Sequence, residues 1–169
     1  MNADTATQII DWNAVYAEEL PRVYNFFRYR VYDHQAAQDL TATTFEKAWR
    51  SRSQYRRDRS AFSTWLFTIA RNVAIDYYRR RRVDVPLKAD LPSDATPLDE
   101  AQQRRDDIRQ LKRLLAPLPS RERELIALKY GAGLTNRAIA RVTGLSETNV
   151  GTILHRLVKH LRTQWEQAA

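Results

Sequence analysis

The sequence of 169 residues contains no cysteine, which excludes disulfides, thiolate metal sites and cysteine nucleophiles together. It carries only four glycines and six prolines, so breaks are few, long helices are favoured and a β-sandwich or barrel is disfavoured. No stretch approaches the roughly 20 consecutive apolar residues that cross a bilayer, and Met1–Ile10 is polar and acidic without a basic n-region. A soluble, cytoplasmic chain with no membrane insertion of its own is therefore expected. Catalytic fingerprints are missing too: there is no P-loop, no dinucleotide fingerprint and no nucleophile elbow. His34, His155 and His160 have no metal-ligand spacing with carboxylates, and the last two, five apart, leave a shared helical face. No enzymatic activity, metal or cofactor is expected.

What is present is charge, and it is segregated. Lys plus Arg number 28 against 20 Asp plus Glu, a formal net charge of +8. The net is −2 over residues 1–50, +7 over 51–82, −4 over 83–102 and +7 over 103–169. Two basic blocks separated by an acidic connector suit a protein that touches a polyanion at two places.

Apolar periodicity marks the helices. Tyr16, Leu20, Val23, Tyr24, Phe27 and Val31 form one stripe over about Trp12–Tyr32, and Pro21 inside it predicts a break or kink, with the main helix starting there. Ala36, Leu40, Thr44 and Ala48 form a second stripe. A third runs from Phe62 to Tyr77, with Ser60 or Ser63 as possible N-caps. Between Val83 and Glu100, Pro86, Pro92 and Pro97 alternate with aspartates and interrupt any helix. Ile108, Leu111, Leu115 and Leu118 then mark a helix, and Leu125, Ile126 and Leu128 mark the next. The expected fold is all-α: a helical bundle over 1–82, a flexible Pro/Asp-rich linker over 83–102 and a second helical domain over 103–169. Each domain is small enough for its core to be marginal alone.

The sharpest local signal is TNRAIARVT (Thr135–Thr143) followed by Gly144, Leu145 and Ser146–Leu161. Thr135 and Ser146 suit N-caps, Gly144 a tight turn, and Ala138, Ile139, Val142, Leu145, Val150 and Ile153 a compact core. This is a helix-turn-helix. Its second helix would bring Glu147, Thr148, Asn149 and Thr152 to base edges in a major groove, with Arg156 and Lys159 suited to phosphates. In the other basic block, Arg56, Arg57, Arg59, Arg71, Arg79 and Arg80 supply cations and Tyr55, Phe62, Trp65, Tyr77 and Tyr78 supply rings, the combination that holds single-stranded DNA.

Three segments in order resemble one family. QDLTATTFEKAW (Gln38–Trp49), FSTWLFTIARNVAIDYYRRRR (Phe62–Arg82) and Leu114–Arg162 are similar to domains 2 and 4 of the extracytoplasmic-function (ECF) sigma factors of bacterial RNA polymerase. The resemblance runs from about Val15 to Arg162, and the extra domains of housekeeping sigma factors are absent. It implies a promoter-specificity subunit that binds core polymerase, directs it to particular promoters and promotes opening of the minus-ten region. The polymerase contacts would be the beta-prime clamp helices and the beta flap, with Asp39, Leu40, Thr43, Phe45 and Glu46 at the clamp helices. Minus-ten contacts would come from Arg56, Arg57, Arg59, Arg71, Asn72, Tyr77, Arg79 and Arg80, with the Asn72 amide reading a flipped base. Minus-thirty-five contacts would come from Thr135, Glu147, Thr148, Asn149, Thr152, His155, Arg156 and Lys159. An anti-sigma partner is also implied. The chain departs from the family at Thr43, commonly Glu, at Gly151, commonly Lys, and at Ile153, commonly Arg.

Two other readings compete. A dimeric helix-turn-helix regulator would use only the C-terminal domain, but the N-terminal bundle has no ligand-pocket signature and instead carries rings and arginines. A nucleic-acid-processing enzyme would need clustered carboxylates, and residues 51–82 hold only Asp58 and Asp76.

Overall fold

The structure, a computed structural model, describes residues 10–31, 33–57, 59–84 and 100–168. Among these residues there are seven α-helices and no strand: α1 (Trp12–Val31), α2 (His34–Arg50), α3 (Phe62–Asp84), α4 (Glu100–Leu115), α5 (Ser120–Ile126), α6 (Asn136–Thr143) and α7 (Glu147–Ala168). A 3-10 turn, Arg52–Gln54, follows α2, and a π turn, Ala127–Gly131, follows α5. The expected linker lies largely outside the described residues, with 83–84 ending α3 and 100–102 opening α4. No described helix is long and apolar enough to cross a membrane.

α1 does not begin at Pro21 but runs through it. Its start is held by Asp11, whose carboxylate accepts the N–H of Asn13 at 3.1 Å and of Ala14 at 3.2 Å. An interior proline costs about 3 kcal/mol. Burying Phe26 and Phe27 completely returns about 2 kcal/mol or more each, so tertiary packing overrides the breaker. α2 is capped by Asp33, which accepts the Gln35 N–H at 3.0 Å, and its two buried threonines satisfy their hydroxyls on backbone carbonyls four residues back.

The caps expected for α3 are replaced. Ala61 holds the N-cap position, its carbonyl accepting the Trp65 N–H at 3.2 Å. Ser63 lies inside the helix, where its hydroxyl donates to Glu19 Oε1 at 2.8 Å. That bond ties α3 to the buried end of a Glu19–Arg22 pair on α1.

In the C-terminal half α4 leans on α7, where Gln110 donates to the Trp165 carbonyl at 3.3 Å. The two halves do not keep separate cores. One continuous buried cluster runs from Val23, Phe26, Phe27, Leu66 and Phe67 through Leu125, Leu128, Ile139 and Val150. It is continuous because α1 lies against α5 and the π turn while α3 lies against α6. Two marginal cores thus become one of ordinary size.

Candidate nucleic-acid and polymerase interfaces

The helix-turn-helix forms as its local signals require. The Thr135 hydroxyl accepts the Ala138 N–H at 3.1 Å, the Ser146 hydroxyl accepts the Asn149 N–H at 3.1 Å, and Gly144 takes the left-handed φ of 78° between them. Ile139, Val142 and Val150 are buried as expected, joined by Leu154 and Leu157, while Ala138, Leu145 and Ile153 are half-buried against them. That burial turns Thr148, Asn149, Thr152, His155, Arg156 and Lys159 outward, all exposed on α7. Thr135 and Glu147 are also exposed, and Glu147 meets Arg137 of α6 at 3.5 Å. The presented face is basic towards its C-terminal part, the polarity a phosphate backbone needs.

Gly151 sits within this helix. A Cβ there would meet only the Asn136 side-chain nitrogen, at 3.5 Å, so no neighbour in the fold demands glycine.

The rings of the other basic block do not form one platform. Tyr55, Phe62 and Trp65 come together with centroids 5.2–5.5 Å apart. Trp12 packs edge-on against Phe62 at 5.6 Å and against Trp49 at 5.4 Å. Trp49 is half exposed, and Arg52 covers its indole with the guanidinium 4.1 Å from the centroid. Trp12, Trp49 and Arg52 therefore form a cluster of rings and a cation beside Phe62 that the sequence reading did not bring together. Their signal was composition: three tryptophans and a run of arginines in segments that converge only in the fold. Tyr77 lies at the far end of α3 under Arg81, 5.2 Å from its ring. Tyr78 belongs to the packing instead; its hydroxyl donates to the Arg30 carbonyl and the Arg30 guanidinium lies over its ring. Burial pushes the Tyr78 phenol up, against the opposing pull of Arg30.

α3 presents Thr68, Asn72, Ile75 and Arg79 along one exposed stripe. Arg56, Arg57, Arg59 and Arg80 are exposed as well, so cations stand at both ends of the helix. Arg79 is held by Asp76 at 2.8 Å, and Asp76 also meets Lys47 of α2 at 3.9 Å. Arg71 turns the other way, to an ion pair with Glu124 of α5 at 2.7 Å. On α2, Asp39 and Glu46 are exposed and Thr43 is half-buried at the rim. Glu46 pairs with Arg50 at 2.6 Å. Leu40 is in the core, and Phe45 is half-buried against Tyr16 at 4.7 Å, so neither is a free surface group.

Family models decide what these surfaces belong to. Sigma-70 region 2 matches residues 15–83, and Sigma-70, region 4 matches residues 108–161. The chain belongs to the sigma-70 family, in its ECF group. The RNA polymerase sigma factor CarQ of Myxococcus xanthus is 32% identical over 150 residues, covering 88% of this chain and 85% of the relative. The ECF RNA polymerase sigma factor BldN of Streptomyces coelicolor is 28% identical over 153 residues, 87% of this chain and 57% of the relative, so this chain spans little more than half that protein's length. Among solved structures, the sigma factor RpoE of Bartonella quintana in complex with the anti-sigma factor NepR superimposes with a TM-score of 0.73 at 24% identity, over 92% of this chain and 97% of that one. In this sigma factor, region 2 thus comprises α1–α3 and region 4 runs from within α4 into α7.

Proposed function

We propose the following division of labour for this alternative sigma factor. Residues 1–82 bind core RNA polymerase and hold the minus-ten strand, 83–102 link the two domains, and 103–169 read the minus-thirty-five duplex and approach the beta flap. The chain performs no bond chemistry of its own; it places the polymerase, in the cytoplasm, at promoters it selects. The observation that carries this reading is the joint match to regions 2 and 4 in one chain, with an exposed face on α7 and an exposed stripe on α3.

The clamp-helix contact rests on the outer side of α2, on Asp39, Thr43 and Glu46. Thr43 carries no carboxylate, so the charged groups offered at that contact are Asp39 and Glu46. At the minus-ten strand, Asn72 offers a donor and an acceptor to an unpaired base edge. Tyr55, Trp49 and Arg52 offer stacking surfaces and Arg56, Arg57 and Arg59 offer phosphate contacts. The Bartonella sigma factor is bound to an anti-sigma factor, NepR, and the likeness of fold extends the reading to a regulatory partner of that kind.

Two substitutions separate the DNA roles. Asn72→Ala lowers promoter opening, read by permanganate reactivity of unpaired thymines, and leaves core affinity unchanged. Arg156→Ala weakens duplex binding uniformly across sequences and reduces the salt slope by about one. Loss of core affinity in Asn72→Ala would make that amide structural and contradict its assignment.

A further inference from the structure

Beside α7 stands a cation that the fold leaves without a counter-charge. Lys129, in the π turn, donates through Nζ to Oδ1 of Asn136, the first residue of α6, at 2.9 Å. That neutral amide is the one polar partner of the ammonium among the described residues. An amide oxygen supplies a dipole and not a charge, so the pair stays cationic. Both side chains are half-buried, which restricts where the charge can go.

Gly151 fixes the position of this pair relative to α7. It lies three residues after Thr148 and four before His155, on the strip of the helix that those exposed side chains share. A Cβ added at Gly151 would meet a single atom, Asn136 Nδ2, at 3.5 Å. The Asn136 amide therefore stands at the edge of the exposed strip. Its oxygen faces the ammonium, which leaves its nitrogen for the Gly151 side, and among the described residues that nitrogen donates to nothing. Gly151 is not in the left-handed region, and no neighbour excludes a side chain there. What its missing side chain provides is an open approach to the amide from outside.

We propose that Lys129 and Asn136 form a phosphate site for the duplex bound by α7. The sugar-phosphate backbone passes over Gly151, one phosphate oxygen accepts from Asn136 Nδ2, and Lys129 neutralises the charge. The ammonium has donors to spare, since Asn136 takes one of its three. The site rests on the reading of α7 as the duplex-facing helix and adds to it a contact from outside that helix. Such a contact sets the depth and register of α7 in the groove and carries no sequence information of its own.

The test is the salt dependence of duplex binding by the full chain, with a fluorescent mixed-sequence duplex as the probe. Lys129→Met, which keeps the apolar stem, is expected to bind about five- to tenfold more weakly at about 0.1 M salt. Its slope of log K against log salt should fall by about 0.9, the share of one phosphate contact. Asn136→Asp, of equal size, should weaken binding at least as far, because the new carboxylate pairs with Lys129 and faces the phosphate. It decides the matter if Lys129→Met shifts the urea midpoint. Both losses should be the same on a second duplex of unrelated sequence. Arg156→Ala is the reference, since its loss reports α7 alone. Lys129→Met and Asn136→Asp at parental affinity and slope, with Arg156→Ala reduced, would overturn the phosphate site and leave the reading of α7 standing. All three at parental values would overturn the reading of α7 and the site with it. A loss confined to one sequence would make Asn136 a reader of bases and overturn the phosphate assignment.

Discussion

Tyr78 shows how one side chain joins packing to charge. Its ring supports the Arg30 guanidinium, its hydroxyl serves the Arg30 carbonyl, and Arg30 in turn reaches region 4. Burial raises its pKa above the ordinary tyrosine value of 10.0, with Arg30 pulling the other way. The folded chain therefore holds this proton more tightly than the unfolded chain does. Stability from this group is fully present below pH 10 and is lost as the pH rises through the folded value. The urea midpoint is expected to fall above about pH 10, and Tyr78→Phe should flatten that fall while costing about 1 kcal/mol at neutral pH for the lost hydrogen bond. An unchanged alkaline slope in Tyr78→Phe would place the sensitive group elsewhere, for example at Tyr29, also raised by burial. None of this was visible in the sequence, where Tyr78 read as a candidate stacking ring, because its partner lies 48 residues away.

At the scale of single elements, legibility tracked the range of the forces involved. The caps at Thr135 and Ser146 and the left-handed turn at Gly144 depend on atoms within a few residues, and all three were read correctly. The helix start expected at Pro21 does not occur, because the local penalty of proline is met by phenylalanines buried against other helices. Ser63 was misread because its hydroxyl answers to Glu19, 44 residues earlier. The exposed groups of α7 were legible through periodicity, whereas the convergence of Trp12, Trp49 and Phe62 required the bundle itself.

The same local logic gives two predictions for the helix-turn-helix. Thr135→Ala removes a side-chain cap and should cost about 1 kcal/mol of stability, measured by urea unfolding. Gly151→Ala meets only ordinary contact with Asn136 and should stabilise the chain by up to about 1 kcal/mol through helix propensity. Its effect on duplex affinity then reports what glycine does there. Weaker binding despite greater stability would mean that DNA backbone approaches α7 at that position, and unchanged binding would mean that it does not.

Over the whole molecule, the family motifs foretold two helical domains matching sigma regions 2 and 4, but not that they share one buried cluster. The two cores, each marginal alone, meet in one buried cluster that joins Phe26 to Leu128. Such pairings across the chain are set by shape complementarity, as at Gly131, and leave no periodic trace. Promoter selection on behalf of core polymerase is the role on which every assignment above depends. The most direct measurement mixes the purified chain with sigma-free bacterial core polymerase and a genomic promoter library, then sequences the transcripts. Transcription from a discrete set of starts sharing two spaced upstream elements is the predicted result. A chain that neither binds core nor changes its start sites, while still binding duplex DNA alone, would contradict it.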